Sequence, residues 1–534
     1  MEEEKWEEAI KEDELKENVP ISVKIGKKTV LLVRSDNRIH AIAGKCPHYG
    51  ALLQNGLLLD HVLTCPWHNA RFDITSGKMK SPPAADDLAL YEVKVEDGIV
   101  YVRKAAGVAP SEKDEDREKH ARKGERIFLI VGAGAAGSSA AVTLRKEGFD
   151  GRVIMLTEEG EFPYDRPNLS KDYLTGEVKR EWMILKPEEF YRDLEIEVLR
   201  NYKVIGVDVN ERKITFAHET QMKYDRLLVA TGGIPRTPPI SGTEFDGFFL
   251  LRSFADAEDI LSRLDRTKRV VIIGAGFIGL ESASALRKRD IEVHLVAPEL
   301  VPLERVFGAM IGNRIKAEHE KSGVYFHSGV TAEEIKKNGS TARILLSDQS
   351  GIEADMIIAG IGIVPAVGFL EESGLVETGA IPVNEFLQTE NENVFAAGDV
   401  AVVPDSITGE KRRIEHWVEA LRQGQHVARS MLGKKSDYSE VPFFWTHQYE
   451  MEIRYVGYVK SPDMIKFRGD AAGESFVAGF YEKGRLKAAA GLGREKEIIL
   501  LGEILKAGIN VPAEKLADEG TDLRELLMKS REQD

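Results

Sequence analysis

Cysteine is nearly absent: the 534 residues hold two, Cys46 and Cys65, both near the N-terminus. A scaffold stapled by several disulfides is thereby excluded, and so is thiol chemistry anywhere after residue 65. Long apolar runs are missing as well. No stretch of about 18 consecutive apolar residues occurs, so no segment reads as a membrane-spanning helix. Positive charge is in deficit, with 73 Lys and Arg against 88 Asp and Glu, and the net charge of −15 argues against nucleic acid or an anionic membrane surface as partner. Residues 1–18 are acid-rich, with neither the apolar core nor the Arg/Ser-rich amphipathic stretch of a leader, and a cytoplasmic location is expected.

A chain of 534 residues exceeds one hydrophobic core, and about 100–200 residues per domain predicts three to five domains. Up to residue 104, short β-like runs such as 29–34 and 98–103 alternate with glycine and proline, which predicts a small all-β domain. Residues 105–125 are charged and nearly free of bulky apolar side chains. They cannot bury a core and are predicted to form a solvated linker with a flexible span of roughly 25 Å. Apolar strands followed by Ala/Leu-rich helical segments then alternate, the pattern of doubly wound α/β units. A glycine loop follows an apolar strand twice, after 126–131 and after 269–273. From about residue 436 aromatic β-like runs return, and the chain ends in amphipathic helical segments.

Each cysteine has a histidine close behind it: Cys46 and His48 flank Pro47, and Cys65 is followed by Pro66, Trp67 and His68. Two loops that each offer one thiolate and one imidazole suit a [2Fe–2S] cluster with the cysteines on one iron and the histidines on the other. Zinc draws on the same donors, although zinc modules usually group cysteine with cysteine at other spacings. A disulfide between Cys46 and Cys65 is a third reading. The segment resembles Rieske domains over about residues 5–104, past the ligands into 69–73, Ser76, Gly77, Pro82 and Pro83. That resemblance implies Cys46, His48, Cys65 and His68 as cluster ligands. With Tyr49 and Trp67 in the ligand loops and no spare cysteine, it points to the ferredoxin type.

Gly132, Gly134 and Gly137, with Ala136 between them, follow a strand and open a helix, so the backbone can approach a pyrophosphate at the helix N-terminus. An acid about 20 positions on is expected to hold a ribose, and Glu158 and Glu159 end the next strand. Four further segments resemble, in order, the FAD-containing reductases of the ferredoxin-reductase and apoptosis-inducing-factor-like group. They are 163–171 with Arg166 and Lys171; 230–236 with Ala230, Thr231, Gly232 and Arg236; 394–399 with Gly398 and Asp399; and Glu415, His416 and Trp417 followed by Gln423 and Gly424.

This second resemblance implies that 163–171 wraps the FAD phosphates and sets Lys171 beside the isoalloxazine. It further implies that 230–236 closes the FAD domain, that Asp399 hydrogen-bonds the ribityl chain, and that 415–417 begins a helix near the flavin pyrimidine edge. The second loop, with Gly274, Gly276, Ile278, Gly279 and Glu281, then takes the nicotinamide cofactor, and Glu281 pairs with Lys171 near the flavin N5. An ordinary helix-face glutamate would look the same in sequence. Trp445 matches a family aromatic near flavin and nicotinamide, and equally a core aromatic. Ala297 stands where NADH-specific relatives carry glutamate. No arginine follows it to receive a 2′-phosphate and Glu299 lies close by, which favours NADH.

The expected architecture is multidomain: an all-β Rieske domain (1–104), a charged linker (105–125), two α/β Rossmann-like dinucleotide-binding domains and a C-terminal α+β domain (436–534). The FAD-binding domain is expected over 126–247 and 373–435, with the NAD(P)H-binding domain (248–372) inserted into it. The implied cofactors are FAD, a [2Fe–2S] cluster and NAD(P)H. The expected activity is that of an FAD-dependent NAD(P)H oxidoreductase of ferredoxin-reductase type without a redox-active disulfide. Electrons would pass from nicotinamide through FAD to the cluster, then to an acceptor such as a terminal oxygenase or another redox protein that the sequence does not name. Two other readings stand beside it: an NADH-responsive sensor of apoptosis-inducing-factor type, and an accessory component of a nitrite-reductase-like complex. A homodimer is left open. The linker is expected to let the Rieske domain swing between the flavin and an outside acceptor.

Overall fold

A computed structural model describes residues 5–104, 124–405 and 409–531, so the greater part of the expected linker, 105–123, lies outside the described residues. The N-terminal part is built on a six-stranded antiparallel sheet in the order Glu7–Lys11, Ile99–Lys104, Leu90–Glu96, Arg38–Ala43, Lys28–Ser35, Ile21–Ile25. Successive side chains of a strand face opposite ways, so Lys28–Ser35 serves two cores. Val30 and Leu32 pack with Val100 and Val102, whereas Leu31 and Val33 pack with Leu63 and Phe72. Leu63 and Phe72 come from a second sheet of four short strands, Leu57–Leu59, Val62–Thr64, Arg71–Asp73 and Met79–Ser81. The loops bearing the cysteines and histidines project from this arrangement as tight turns. The Cys46 and Cys65 N–H groups donate to the Ala51 and Ala70 carbonyls at 2.9 and 2.8 Å.

Two parallel five-stranded sheets follow. The first runs Ile196–Leu199, Arg152–Leu156, Ile127–Val131, Arg226–Val229, Val394–Ala396; the second runs Phe248–Leu250, Met356–Ala359, Arg269–Ile273, Glu292–Ala297, Val324–Ser328. Their central strands, Ile127–Val131 and Arg269–Ile273, are buried and apolar after the first residue, as strands covered on both faces are. Val394–Ala396 returns to the first sheet only after the second is complete, so the second unit interrupts the first. The chain crosses between them twice, along an antiparallel pair of Gly233–Pro235 with Ile363–Pro365. Helices Ala135–Lys146 and Trp417–Met431 pack closely against each other beside the first sheet. A Cβ at Gly424 would stand 2.3 Å from the Ala136 carbonyl oxygen, so glycine is what permits that approach. The last part is an antiparallel five-stranded sheet, Phe443–Gln448, Met451–Gly457, Arg485–Leu492, Phe476–Glu482, Met464–Gly469, with helices Glu495–Lys506, Ala513–Ala517 and Leu523–Arg531. Among the described residues no helix is long and apolar enough to cross a membrane.

The N-terminal domain is docked on the rest of the chain. Leu57 shares an apolar cluster with Val456, Leu486 and Leu501 of the C-terminal part. Arg71 reaches Glu503 at 2.7 Å, the Arg422 guanidinium donates to Ser81 Oγ at 3.2 Å, and that of Arg454 donates to the Trp67 carbonyl at 3.1 Å. Arg71 and Glu503 are each only 16% exposed, so their pairing is shielded from screening by salt. Losing a shielded pair and adding a like charge costs about 2 kcal/mol or more. Arg71→Glu is therefore expected to lift the domain off, read as a larger radius of gyration in small-angle scattering. An unchanged radius would show that this contact does not hold it.

Candidate active site and metal centre

A cavity of about 680 Å³ lies among the two glycine loops, the 163–171 segment and the C-terminal sheet. That is within the range of cofactor pockets. At one end the first loop presents Gly132, Gly134 and Ala136. Gly132 has φ +109°, and a Cβ there would stand 2.2 Å from the Ala230 carbonyl oxygen. At Gly134 a Cβ would meet nothing within 4 Å, and this open face is where a phosphate can approach the N–H groups of helix Ala135–Lys146. Gly137 lies beneath the loop, where a Cβ would come 1.9 Å from the Gly132 oxygen. The second loop repeats the plan: Gly276 and Ile278 line the cavity, and Gly274 and Gly279 pack behind them.

Ala230, Thr231, Gly232, Gly398, Asp399, Glu415, His416 and Trp417 all line the same cavity. Asp399 is fixed by Arg252, at 2.8 Å. Burial pushes the His416 imidazole down to about 4, so it is neutral near pH 7 and stacks on Phe444 at 4.2 Å between ring centroids. Glu158 and Glu159 differ in what they hold. Glu159 accepts from Arg166 at 2.7 Å and from the Tyr164 hydroxyl at 2.6 Å, whereas Glu158 is exposed and meets Lys203 at 3.4 Å. Arg166 lines the cavity with its guanidinium held by Glu159 and by the Arg252 carbonyl. Arg236 does not line the cavity; its side chain is exposed and donates to the Ile363 carbonyl across the paired crossover strands.

Lys171 and Glu281 meet at 2.7 Å on the cavity wall, with side chains 14% and 4% exposed. The Lys171 ammonium also donates to the Pro167 carbonyl at 2.9 Å. The second carboxylate oxygen of Glu281 accepts from Thr446 at 2.9 Å. Trp445 forms part of the same wall, and its other side meets the N-terminal domain.

Cys46 and Cys65 are buried free thiols, which excludes the disulfide reading. His48 Nδ1 and His68 Nδ1 face each other at 3.0 Å. Burial holds His48 down at about 4 and His68 well below the usual imidazole range, so both rings are neutral, as metal ligation requires. The Cys65 thiol is pushed down by a hydrogen bond from Cys46 and by the Trp67 and His68 N–H groups. Among the described residues no three His, Cys, Asp or Glu side chains are grouped to hold one ion. The donors are two thiols and two imidazoles, the set that a two-iron cluster takes with the cysteines on one iron and the histidines on the other.

The histidine side of this centre faces the cavity. The His68 and Trp445 rings are 4.1 Å apart between centroids. Tyr49 packs on both histidines, and its hydroxyl donates to Asp165 and accepts from Asn168 at 3.2 Å. Asp165 belongs to the 163–171 segment, and burial pushes it up to about 7 against the opposing pull of Lys171. Sequence reasoning missed Asp165, Asn168, Arg252 and Thr446. The available signals were the placement of Asp165 and Asn168 inside a segment already singled out and of Thr446 beside Trp445.

Comparison with known proteins gives the family. Residues 127–424 match the pyridine nucleotide-disulphide oxidoreductase family, 5–92 the Rieske [2Fe-2S] domain and 443–527 the reductase C-terminal domain. Apoptosis-inducing factor 3 of Homo sapiens is 36% identical over 500 residues, spanning 91% of this chain and 81% of its own. The 5,5'-dehydrodivanillate O-demethylase ferredoxin reductase subunit of a Sphingobium species is 33% identical over 401 residues, 74% of this chain and 97% of its own. A ferredoxin reductase structure from Rhodopseudomonas palustris superposes with a TM-score of 0.72 at 32% identity, covering 75% of this chain and 99% of that one. The covalent putidaredoxin reductase–putidaredoxin complex gives 0.73 at 29% identity, covering 77% and 100%. The chain belongs to the pyridine nucleotide-disulphide oxidoreductase family, as an FAD- and NAD(P)H-dependent oxidoreductase that carries its own Rieske [2Fe–2S] domain and a reductase C-terminal domain.

Proposed function

We propose that this oxidoreductase moves electrons from NAD(P)H through FAD to its own cluster across the docked interface, and that the contact of His68 with Trp445 is the crossing point. That contact carries the reading: one ring belongs to a cluster ligand and the other to the cavity wall, 4.1 Å apart. When bound, FAD accepts a hydride and gives up electrons singly, and a Rieske cluster takes one electron at a time. The chain supplies the rest. The two glycine loops belong to two Rossmann-like units, the first for FAD and the second for the nicotinamide cofactor. Arg166 and the first loop hold the FAD phosphates. Glu158, free of the Arg166–Tyr164 network that occupies Glu159, holds the ribose. Lys171, anchored by Glu281, presents a cation where the flavin gains negative charge. Both cysteines of the chain lie at the metal centre, so no dithiol serves the flavin.

Ala297 is buried at the end of its strand and has no polar group, so Glu299, which is exposed just beyond it, is the acid left to select NADH. Glu299→Ala is expected to reduce the kcat/KM preference for NADH over NADPH about tenfold, the loss of one hydrogen bond to a charged group. An unchanged ratio would remove Glu299 from coenzyme selection. Outward delivery to a protein acceptor is proposed to follow release of the docked domain, because His68 is only 8% exposed while docked. The function is tested by anaerobic NADH titration with low-temperature electron paramagnetic resonance. A reduced Rieske signal that grows as the flavin bleaches is expected; an intact cluster that stays oxidised while the flavin bleaches would refute the reading.

A further inference from the structure

Behind the Lys171–Glu281 pair a line of buried polar side chains crosses three elements. We infer that His319 is a positioning residue for hydride transfer, acting through Gln448 and Thr446 to orient Glu281 and with it the Lys171 ammonium. The inference rests on the reading of Lys171 and Glu281 as neighbours of the flavin.

His319, on helix Glu304–Lys321, is fully buried, and its Nε2 lies 2.8 Å from Gln448 Oε1. Gln448 Nε2 donates to Thr446 Oγ1 at 3.0 Å, and Thr446 Oγ1 donates to Glu281 Oε1 at 2.9 Å. Glu281 Oε2 accepts from Ser170 and from Lys171, each at 2.7 Å. Gln448 and Thr446 are 1% exposed and Glu281 4%, so water does not supply alternative partners.

The direction of this chain is set at its far end. A glutamine amide can turn over, exchanging its oxygen and nitrogen. Turned over, Gln448 would accept from Thr446, the threonine proton would point away from Glu281, and one carboxylate oxygen would lose its donor. His319 decides between the two arrangements. Burial holds it down at about 4, so it is neutral and carries one N–H. The Gln448 amide oxygen, 2.8 Å from Nε2, asks for a proton there, and the Tyr449 hydroxyl, 3.4 Å from Nδ1, can donate to the nitrogen that is left bare. A donor there demands the amide oxygen, and every later bond then points toward Glu281. The Tyr449 N–H donates to Ser284 Oγ at 3.0 Å, fastening the same turn to helix Phe277–Arg287, which carries Glu281. An amide in the middle makes the chain a poor proton conductor, so its role is orientation and not transport.

The test compares His319→Phe, His319→Gln, Thr446→Val and the double variant His319→Phe/Thr446→Val in the flavin-loaded protein. Two readouts are used: the rate of flavin bleaching at saturating NADH, and the flavin midpoint potential by spectroelectrochemistry. His319→Phe and Thr446→Val are each expected to slow bleaching about tenfold, the worth of one hydrogen bond to a charged group. Each is also expected to make the potential more negative while leaving the NADH dissociation constant unchanged. The double variant should be no slower than either single one, and His319→Gln, which returns a donor near the Nε2 position, should recover the rate to within about twofold. A wild-type rate and potential in Thr446→Val, or losses that multiply in the double variant, would overturn the inference. Thr446→Val preserves shape and reports even if His319→Phe fails to fold. Wild-type bleaching in Lys171→Met would instead sink the underlying reading of the pair.

Discussion

Replacing Cys65 by serine is expected to give a protein that still binds FAD and is still bleached by NADH, but that holds no cluster and shows no Rieske resonance. Cys46 and Cys65 are 2% and 1% exposed and belong to the same core as Leu31, Leu63 and Phe72. The thiols, the two imidazoles and the Trp67 and His68 N–H groups around Cys65 form one preorganised set, and metal binding to such a set is coupled to folding. Loss of one ligand should therefore remove the cluster and loosen the N-terminal domain, while the cavity between the glycine loops stays intact. The measurement is iron and sulfide content beside flavin content, with calorimetry to separate the domains. A Cys65→Ser protein that retains a Rieske resonance would displace Cys65 from the ligand set.

Lys171→Met should have the largest effect on the first half of the reaction: flavin bleaching by NADH slowed by about a hundredfold or more, the usual consequence of removing one preorganised donor from developing charge. Lys171 is 14% exposed and Glu281 4%, so the pair acts in a medium where a charge counts for more than in water. Its position is fixed twice, by Glu281 at 2.7 Å and by the Pro167 carbonyl at 2.9 Å. Because the loss falls on the transition state, kcat should drop with little change in the binding of NADH. Stopped-flow bleaching across a range of NADH concentrations separates the two. A loss confined to NADH affinity would make Lys171 a binding residue.

Much of the site was legible because its signals are local. Cys46 with His48 and Cys65 with His68 are each a few residues apart, and the glycine loops announce themselves by spacing after an apolar strand. Those patterns follow from chemistry that must be satisfied within one turn of chain. The pairing of Lys171 with Glu281 required the family resemblance, since 110 positions separate them. The docking of the N-terminal domain was not legible at all. Tyr49 with Asp165, Arg71 with Glu503 and His68 with Trp445 join distant positions, and nothing local to His68 or Trp445, each singled out for its own site, says that the two meet. His319 shows the same limit, because its meaning comes from Gln448 and Thr446 on another element. Arg236 shows the converse: a motif position whose side chain turns to a crossover carbonyl instead of the cavity. Glu158 and Glu159 could be separated only once Arg166 and Tyr164 were seen to occupy the second.

Electrons are proposed to reach the cluster within one chain, through the docked face formed by His68 and Trp445. Rapid mixing of oxidised protein with excess NADH, with cluster reduction followed at several protein concentrations, distinguishes this path from transfer between molecules. A cluster-reduction rate that is the same at every protein concentration in the native chain is expected, and it should fall in Arg71→Glu. A rate that rises in proportion to protein concentration, unaltered by Arg71→Glu, would show transfer between molecules and contradict the docked path.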